Sequence, residues 1–268
     1  MKKIGIEPRL LPTDAAGHAG ELAREAIAQD ADLILVLGGD GTINETANGM
    51  IHSRVPLGIL PGGTANVLAN ELALGNRLER AVAGLGQCVE RRIAVGKLTG
   101  RDGEIRHFLM MGGAGLDASI VTKVNPKLKA SYGKLAYWIA GFGQFFQSVD
   151  QFEAAVNGEK RQCGFVLASR VRNYGGDLEI ASGASLLSED FEVVLFKGSN
   201  PLRYAAYMMV VALKKVQSLP GVTTVRAKRV DFSGTAHLQI DGEYGGLLPA
   251  SFEMVPDALT LLTPGDYR

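Results

Sequence analysis

At 268 residues the chain is long enough for one large domain or two small ones with full cores, and its texture favours two. Lys plus Arg and Asp plus Glu both number 28, so no global field draws the protein to nucleic acid or to an anionic membrane surface; any membrane contact has to be local. Cys88 and Cys163, far apart and without a CxxC pair, suit a reducing cytoplasm and speak against a thiolate metal site, and no run nears the ~20 apolar residues needed to span a bilayer.

In chain order, residues 4–11 read as a first strand, and Thr13-Asp14 then supply a cap for a helix over residues 18–29, where Leu22, Ala26 and Ile27 recur at helical spacing. Residues 33–37, LILVL, are short and wholly apolar, the mark of a buried parallel strand that ends at Gly38. The glycines of Gly38-Gly39-Asp40-Gly41 let the backbone turn sharply and approach a ligand, with Thr42 and Asn44 available to cap the next helix. Such a turn aims free amides and the positive end of a helix dipole at one point, which suits a phosphate. Asp40 is the odd residue there. A carboxylate among phosphate-binding amides repels the ligand unless a cation lies between them, which suggests metal-chelated nucleotide; the alternative is an ordinary Rossmann-like turn with a solvated Asp.

The grammar repeats at once: residues 56–60 form a strand, PGGTAN at 61–66 a second glycine turn, and residues 67–74 a helix. Two strand-turn-helix units in tandem imply a parallel sheet, and both turns leave from carboxyl ends of strands, where open α/β sheets bind ligands. After about residue 89 the pattern becomes antiparallel, with strand-like runs between Gly, Asn and Asp turns. Two helices interrupt it, at residues 132–149, with Trp138 and Phe142 on a broad apolar face, and at 203–217, which ends in Lys214-Lys215. Both read as core rather than membrane anchors, the second retaining a docking role. Neither Gly96-Lys97-Leu98 nor Gly133-Lys134-Leu135 completes a P-loop. Gly113-Ala114-Gly115-Leu116-Asp117-Ala118 matches a loose dinucleotide fingerprint, but no acidic residue stands about 20 positions further on to take a ribose hydroxyl. The four histidines are scattered. Asp241-Gly242-Glu243, between two strand-like runs, is by itself a hairpin turn.

GGDGTINE at 38–45, PGGTANVLANEL at 61–72, GAGLDA at 113–118, NYGGDLEIASGASL at 173–186 and DGEY at 241–244 occur in one order. That ordered set resembles the diacylglycerol kinase catalytic-domain superfamily, which includes bacterial lipid kinases and the sphingosine and ceramide kinases. NAD kinases share GGDGT but carry a different second motif. The resemblance implies a Rossmann-like α/β nucleotide domain over residues 1–90, joined by 257–268, and an antiparallel β-sandwich lipid-substrate domain over 91–256, with the active site in the cleft between them. It implies that Gly38, Gly39, Asp40, Gly41, Thr42, Ile43 and Asn44 hold the ATP phosphates, with Asp40 acting through Mg²⁺. Thr64 and, by a looser match, Thr13 would contact nucleotide. Glu243 corresponds to the family's general base and Asp241 stands beside it; which of them takes the proton stays open. The partners implied are a lipid substrate and, transiently, a membrane surface met from the cytoplasm, with no nucleic acid.

Three departures accompany the resemblance. Members begin with a strand and an NPxSG-like loop upstream of the first helix, whereas this chain starts near the second strand. Apolar edges of the first domain would then need cover, from a second copy in a homodimer or from another segment. Ser188-Glu189 replaces an Asp-Gly pair whose Asp belongs to a structural Mg²⁺ site, so no second metal is expected. Val67 stands where many members have Asp. The expectation is an ATP- and Mg²⁺-dependent lipid kinase, with a nucleotide- or lipid-binding protein without turnover and a kinase of a soluble acceptor as alternatives.

Overall fold

Helix α1 (His18–Ala28), strand β1 (Ile34–Gly38), helix α2 (Asp40–Met50), strand β2 (Leu57–Pro61) and helices α3 (Val67–Glu71) and α4 (Leu78–Gly84) follow one another in the first third of the chain. The structure, a computed structural model, describes residues 5, 7–75, 77–115, 150–175, 178–200, 207 and 219–268. It divides into two compact units, Met1–Val95 with Pro256–Arg268, and Gly96–Val255.

In the first unit β1 and β2 pair in parallel, Ile34 opposite Leu57 through Gly38 opposite Pro61, and β2 also pairs in parallel with the C-terminal half of β16 (Ala250–Pro264), Leu57 opposite Leu261. All five residues of β2 are buried, as suits an apolar strand between two neighbours. Strand β1 differs from its expected burial. It ends the sheet among the described strands, is mostly half-buried, and leaves Leu37 54% exposed. Helix α2 packs on β1 and α4 on β2; Leu60, Ala81 and Leu85 form a buried cluster with Leu35, Val82 and Leu262. Helices α1 and α2 cross where a Cβ on Gly49 would run into the Gly20 carbonyl, so the two backbones touch because both positions are glycine.

The first strand expected from the sequence does not form in residues 7–14, which are irregular and exposed. Pro8 and Pro12 carry no amide to give a ladder. Nor do Thr13 and Asp14 cap α1: its N-cap is Gly17, at φ 85°, without a side-chain cap, while the Asp14 amide donates to His18 Nδ1 at 3.0 Å.

A 3₁₀ turn at Leu85–Gln87 leads to β3 (Cys88–Thr99), which runs from the first unit into the second. There follow β4 (Ile105–Phe108), β5 (Met111–Gly115), β6 (Phe152–Val156), β7 (Glu159–Cys163), β8 (Phe165–Ser169), β9 (Asn173–Gly175), β10 (Leu178–Glu179), β11 (Phe191–Phe196), β12 (Val222–Ala227), β13 (Arg229–Ser233), β14 (His237–Ile240) and β15 (Glu243–Leu247), before β16. One six-stranded sheet has the order β12-β11-β8-β5-β14-β15, antiparallel throughout. Facing it, β13 pairs with β6 and with the first half of β16, β6 with β7, and β3 with β4, all antiparallel. Phe108 stacks on Phe191 at 5.7 Å and meets Phe252 edge-on at 5.3 Å, and Phe252 meets Phe232 at 5.0 Å, so aromatic rings fill the sandwich from both sheets. The fold is an α/β unit with parallel strands followed by an antiparallel β-sandwich.

The helices expected at residues 132–149 and 203–217, including Trp138, Phe142 and Lys214-Lys215, lie outside the described residues except for Tyr207, which is buried against the Phe196 ring. Among the described residues no helix is long and apolar enough to cross a membrane. Residues Gly113 to Gly115 of the dinucleotide-like stretch belong to strand β5 and make no phosphate turn; the rest of that motif lies outside the described residues.

Candidate active site

The first glycine turn is tighter than its sequence suggests. Strand β1 runs to Gly38, Gly39 is the N-cap of α2 at φ −85°, and Asp40 is already helical. Thr42 and Asn44 therefore do not cap the helix, which has no side-chain cap. Thr42 lies one turn in, against Gly38, and Thr46 Oγ donates to its carbonyl at 2.8 Å. The Ile43 side chain, 1% exposed, belongs to the core, so only its backbone is available to a ligand. The Ile43 amide bonds the Gly39 carbonyl at 3.1 Å. The amides of Asp40, Gly41 and Thr42 have no acceptor within the helix, as at any helix start, and they form the positive end of its dipole.

The second turn is built onto the first. Gly62 N donates to Gly38 O at 2.9 Å, and a Cβ on Gly63 would lie 2.6 Å from Gly39 Cα. The two turns thus meet backbone to backbone, and glycine at 62 and 63 is what permits it. Asn66, left-handed at φ 47° and 6% exposed, clamps Gly63 from both sides: Gly63 N donates to its Oδ1 at 2.8 Å, and its Nδ2 donates to Gly63 O at 2.9 Å. Asn70 Nδ2 donates to Ala65 O at 3.0 Å. Behind the turn, Tyr267 donates from its hydroxyl to Glu71 Oε1 at 3.0 Å, tying the C-terminal segment to α3. Thr64 stands exposed at the tip.

Asp40 joins the two. Its Oδ2 accepts the Val67 amide at 3.1 Å and its Oδ1 the Leu68 amide at 3.3 Å, so the carboxylate caps α3 from 27 residues away. Sequence reasoning found Asp40 but not this partner, nor Asn66. Thr13, on the exposed segment before α1, has no hydrogen bond to either turn among the described residues.

In the second unit Asp241 and Gly242 link β14 to β15 with φ 49° and 81°, both positive as in a type I′ hairpin turn. The Asp241 carboxylate, 8% exposed, accepts the amides of Leu109 at 2.7 Å and of Met110 and Met111 at 2.9 Å. Its own amide donates to Met111 O at 2.8 Å. The same corner is held by Arg170, which is fully buried and donates from Nη1 to Leu109 O at 2.9 Å and from Nη2 to Leu186 O at 2.7 Å. Gln239 Oε1 accepts the Gly242 amide at 2.9 Å. Glu243 instead points outward, its side chain 46% exposed, beside Arg106 Nη2 at 3.3 Å. Arg106 also donates from Nη1 to Tyr244 O at 2.8 Å. No sequence motif marks Arg106, which lies between Ile105 and His107 on β4.

Magnesium needs oxygen ligands with lone pairs to give. Each Asp40 oxygen accepts one backbone amide and keeps a lone pair, but among the described residues no three His, Cys, Asp or Glu side chains gather as a metal site around it. The residues present do not fit a cation held by the protein alone. In the stretch that departs from the family's metal motif, Glu189 pairs with Lys228 at 3.2 Å and Asp190 with Arg226 at 2.5 Å.

Residues 1–98 match the diacylglycerol kinase catalytic domain, and residues 111–263, more than half of the chain, match the YegS C-terminal NAD kinase beta sandwich-like domain. A diacylglycerol kinase of Bacillus subtilis (strain 168) is 28% identical over 261 residues, covering 94% of this chain and 84% of the relative. The diacylglycerol kinase of Staphylococcus carnosus (strain TM300) is 27% identical over 275 residues, covering 100% and 88%. The crystal structure of a diacylglycerol kinase from Bacillus anthracis str. Sterne superposes with a TM-score of 0.74 over 95% of this chain and 85% of that one, at 22% identity, and shares the fold. The ordered motifs, the α/β unit with its paired glycine turns and the β-sandwich agree with these likenesses: the chain belongs to the diacylglycerol kinase catalytic-domain superfamily of lipid kinases.

Proposed function

We propose that the protein transfers the γ-phosphate of ATP to a hydroxyl of diacylglycerol or a similar lipid, meeting the membrane transiently from the cytoplasm. The observation that carries the proposal is the fusion of the two glycine turns through the Gly62–Gly38 hydrogen bond and the Asp40 carboxylate. It supports a platform on which the α2 amides and the Thr64 tip receive polyphosphate. In this reading the backbone from Gly38 to Asn44 and the Thr64 turn bind nucleotide, and Thr13 is a further contact.

Phosphoryl transfer asks little covalent chemistry of a protein: in-line positioning, charge neutralisation and an acceptor for the hydroxyl proton. The lipid oxygen bonds to the γ-phosphorus as the bond to the β–γ bridging oxygen breaks, ADP departs, and the hydroxyl proton passes to a base. Glu243 is assigned that proton, because its carboxylate is accessible. Asp241 is assigned to hold the turn that carries Glu243, because three buried amides engage its oxygens. Mg²⁺ is taken to arrive as the nucleotide's counter-ion, and no step is assigned to it.

The test is transfer of label from [γ-³²P]ATP with magnesium into a mixed lipid extract, comparing wild type with Glu243→Gln. Label in the organic phase, lost in the variant, supports the reading. A new labelled aqueous product, resolved from ATP and inorganic phosphate, points to a soluble acceptor, the activity suggested by the NAD kinase-like description of the matched C-terminal domain. Label remaining wholly in ATP, with nucleotide still bound, points to a binding protein.

A further inference from the structure

We infer that Asp40 is a positioning residue, which locks the second glycine turn onto the first through the backbone of α3, and that it does not serve as a cation ligand. The inference rests on the reading that the paired turns receive nucleotide, and it reassigns the one carboxylate in them.

A carboxylate beside phosphate-binding amides looks misplaced only while its own partners are out of sight. Helix α3 has five residues, too few for a stable helix on its own, and its N-cap Asn66 sits in the left-handed region without capping it. Two of its orphan amides, on Val67 and Leu68, find acceptors in Asp40 Oδ2 and Oδ1. Because Asp40 is the first residue of α2, this one side chain connects the start of α2 to the start of α3, across the Gly39–Gly63 contact. Asn66 completes the device from the other side: its amide, turned away from α3, closes on both polar groups of Gly63.

The consequence is a division of labour. The Val67 and Leu68 amides are consumed internally, leaving the α2 amides and the Thr64 tip toward the ligand. A charge that accepts two amides is partly neutralised by them, so it need not repel a phosphate even without a cation directly upon it. Losing the device would loosen the platform before the nucleotide arrives, and nucleotide affinity would fall while the rate at saturation changes little.

Three variants test this: Asp40→Ala, Asp40→Asn, which keeps one acceptor oxygen, and Asn66→Gly, which keeps the left-handed backbone and touches no carboxylate. The readouts are hydrogen exchange of the Val67 and Leu68 amides, binding of a fluorescent ATP analogue, and the magnesium concentration for half-maximal binding at fixed nucleotide. A loss of one helix cap corresponds to about a tenfold loss of nucleotide affinity in Asp40→Ala. The expected order is wild type, Asp40→Asn, Asp40→Ala, with faster exchange at Val67 and Leu68, and with Asn66→Gly also weakening binding. The magnesium requirement should stay unchanged in all three. A tenfold rise in that requirement in Asp40→Asn, with exchange unchanged, overturns the inference, as does faster exchange with nucleotide affinity intact. If the wild type binds no nucleotide, the functional reading fails, and unchanged exchange in Asp40→Asn then removes the cap as well. Should Asp40→Ala not fold, Asp40→Asn and Asn66→Gly carry the comparison.

Discussion

Asp241 Oδ2 accepts the Leu109 amide at 2.7 Å across 132 residues of sequence, and its second oxygen takes the next two amides at 2.9 Å each. One buried carboxylate thus satisfies three consecutive backbone donors where β4 gives way to β5. Replacing it by Ala would leave those amides without their acceptor, at a cost of about 3 kcal/mol. Asp241→Ala should lower the urea midpoint accordingly with an unchanged m-value. Asp241→Asn, which cannot accept from all three, should fall between it and wild type.

Glu192 on β11 gives a pH dependence of definite sign. It is 3% exposed, its Oε1 is buried without a hydrogen-bond partner, and its Oε2 lies 3.8 Å from Arg226 Nη1. Burial raises its carboxyl above the ordinary value of 4.5, opposed by the Arg226 charge and a backbone bond from Gly183, and assisted by Glu179. The folded protein therefore holds this proton more tightly than the unfolded chain. The cost of the buried charge is fully felt above the raised value and is relieved as the pH falls through it toward 4.5. Glu192→Gln should be more stable than wild type by about 1 kcal/mol at pH 8, with the advantage shrinking on acidification; denaturant titrations at pH 8 and pH 4.5 read the difference.

How far the site was legible follows from where its partners lie. The strand-turn-helix grammar of Gly38 to Asn44 and the Asp241-Gly242 hairpin are local, written in glycines and apolar runs, and the structure has both. The amides served by Asp40 and Asp241 lie 27 and 132 residues away, and Arg106 stands 137 residues from Glu243. No spacing in the sequence encodes those meetings, which the sheet registers create. The first strand, expected over residues 4–11, is absent from residues 7–11 for a different reason: Pro8 has no amide to give and Leu10 is 87% exposed, while residues 4 and 6 lie outside the described residues. The cap of α1 was misread because a left-handed glycine, Gly17, replaces the polar side chain that usually marks a helix start.

The contact between the turns predicts unequal tolerance of two glycines. A Cβ at 63 meets Gly39 Cα at 2.6 Å and Asn66 Oδ1 at 3.0 Å, whereas one at 39 meets Gly63 Cα at 3.4 Å. Backbone cannot yield as a flexible side chain would, so Gly63→Ala should cost about 1–3 kcal/mol and weaken nucleotide binding. Gly39→Ala, at φ −85°, should cost well under 1 kcal/mol. Chemical denaturation of the two variants side by side checks this, and equal losses would contradict the backbone-to-backbone contact.

The last prediction separates chemistry from stability at Glu243. Its pair with Arg106 is solvent-exposed, the side chains being 39% and 46% accessible, and such pairs contribute at most about 1 kcal/mol. Glu243→Gln should therefore leave the unfolding midpoint within error of wild type. If Glu243 accepts the hydroxyl proton, the same substitution should reduce kcat by roughly 10²- to 10⁴-fold with the KM for ATP unchanged. Arg106→Lys keeps the charge but gives up the planar fork that holds the Glu243 carboxylate and the Tyr244 carbonyl together. A carboxylate less firmly aimed should slow turnover by about 3- to 10-fold, again without loss of stability. Full activity in Glu243→Gln would move the base elsewhere, since Arg106 orients nothing that the reaction needs if its partner can be neutralised freely.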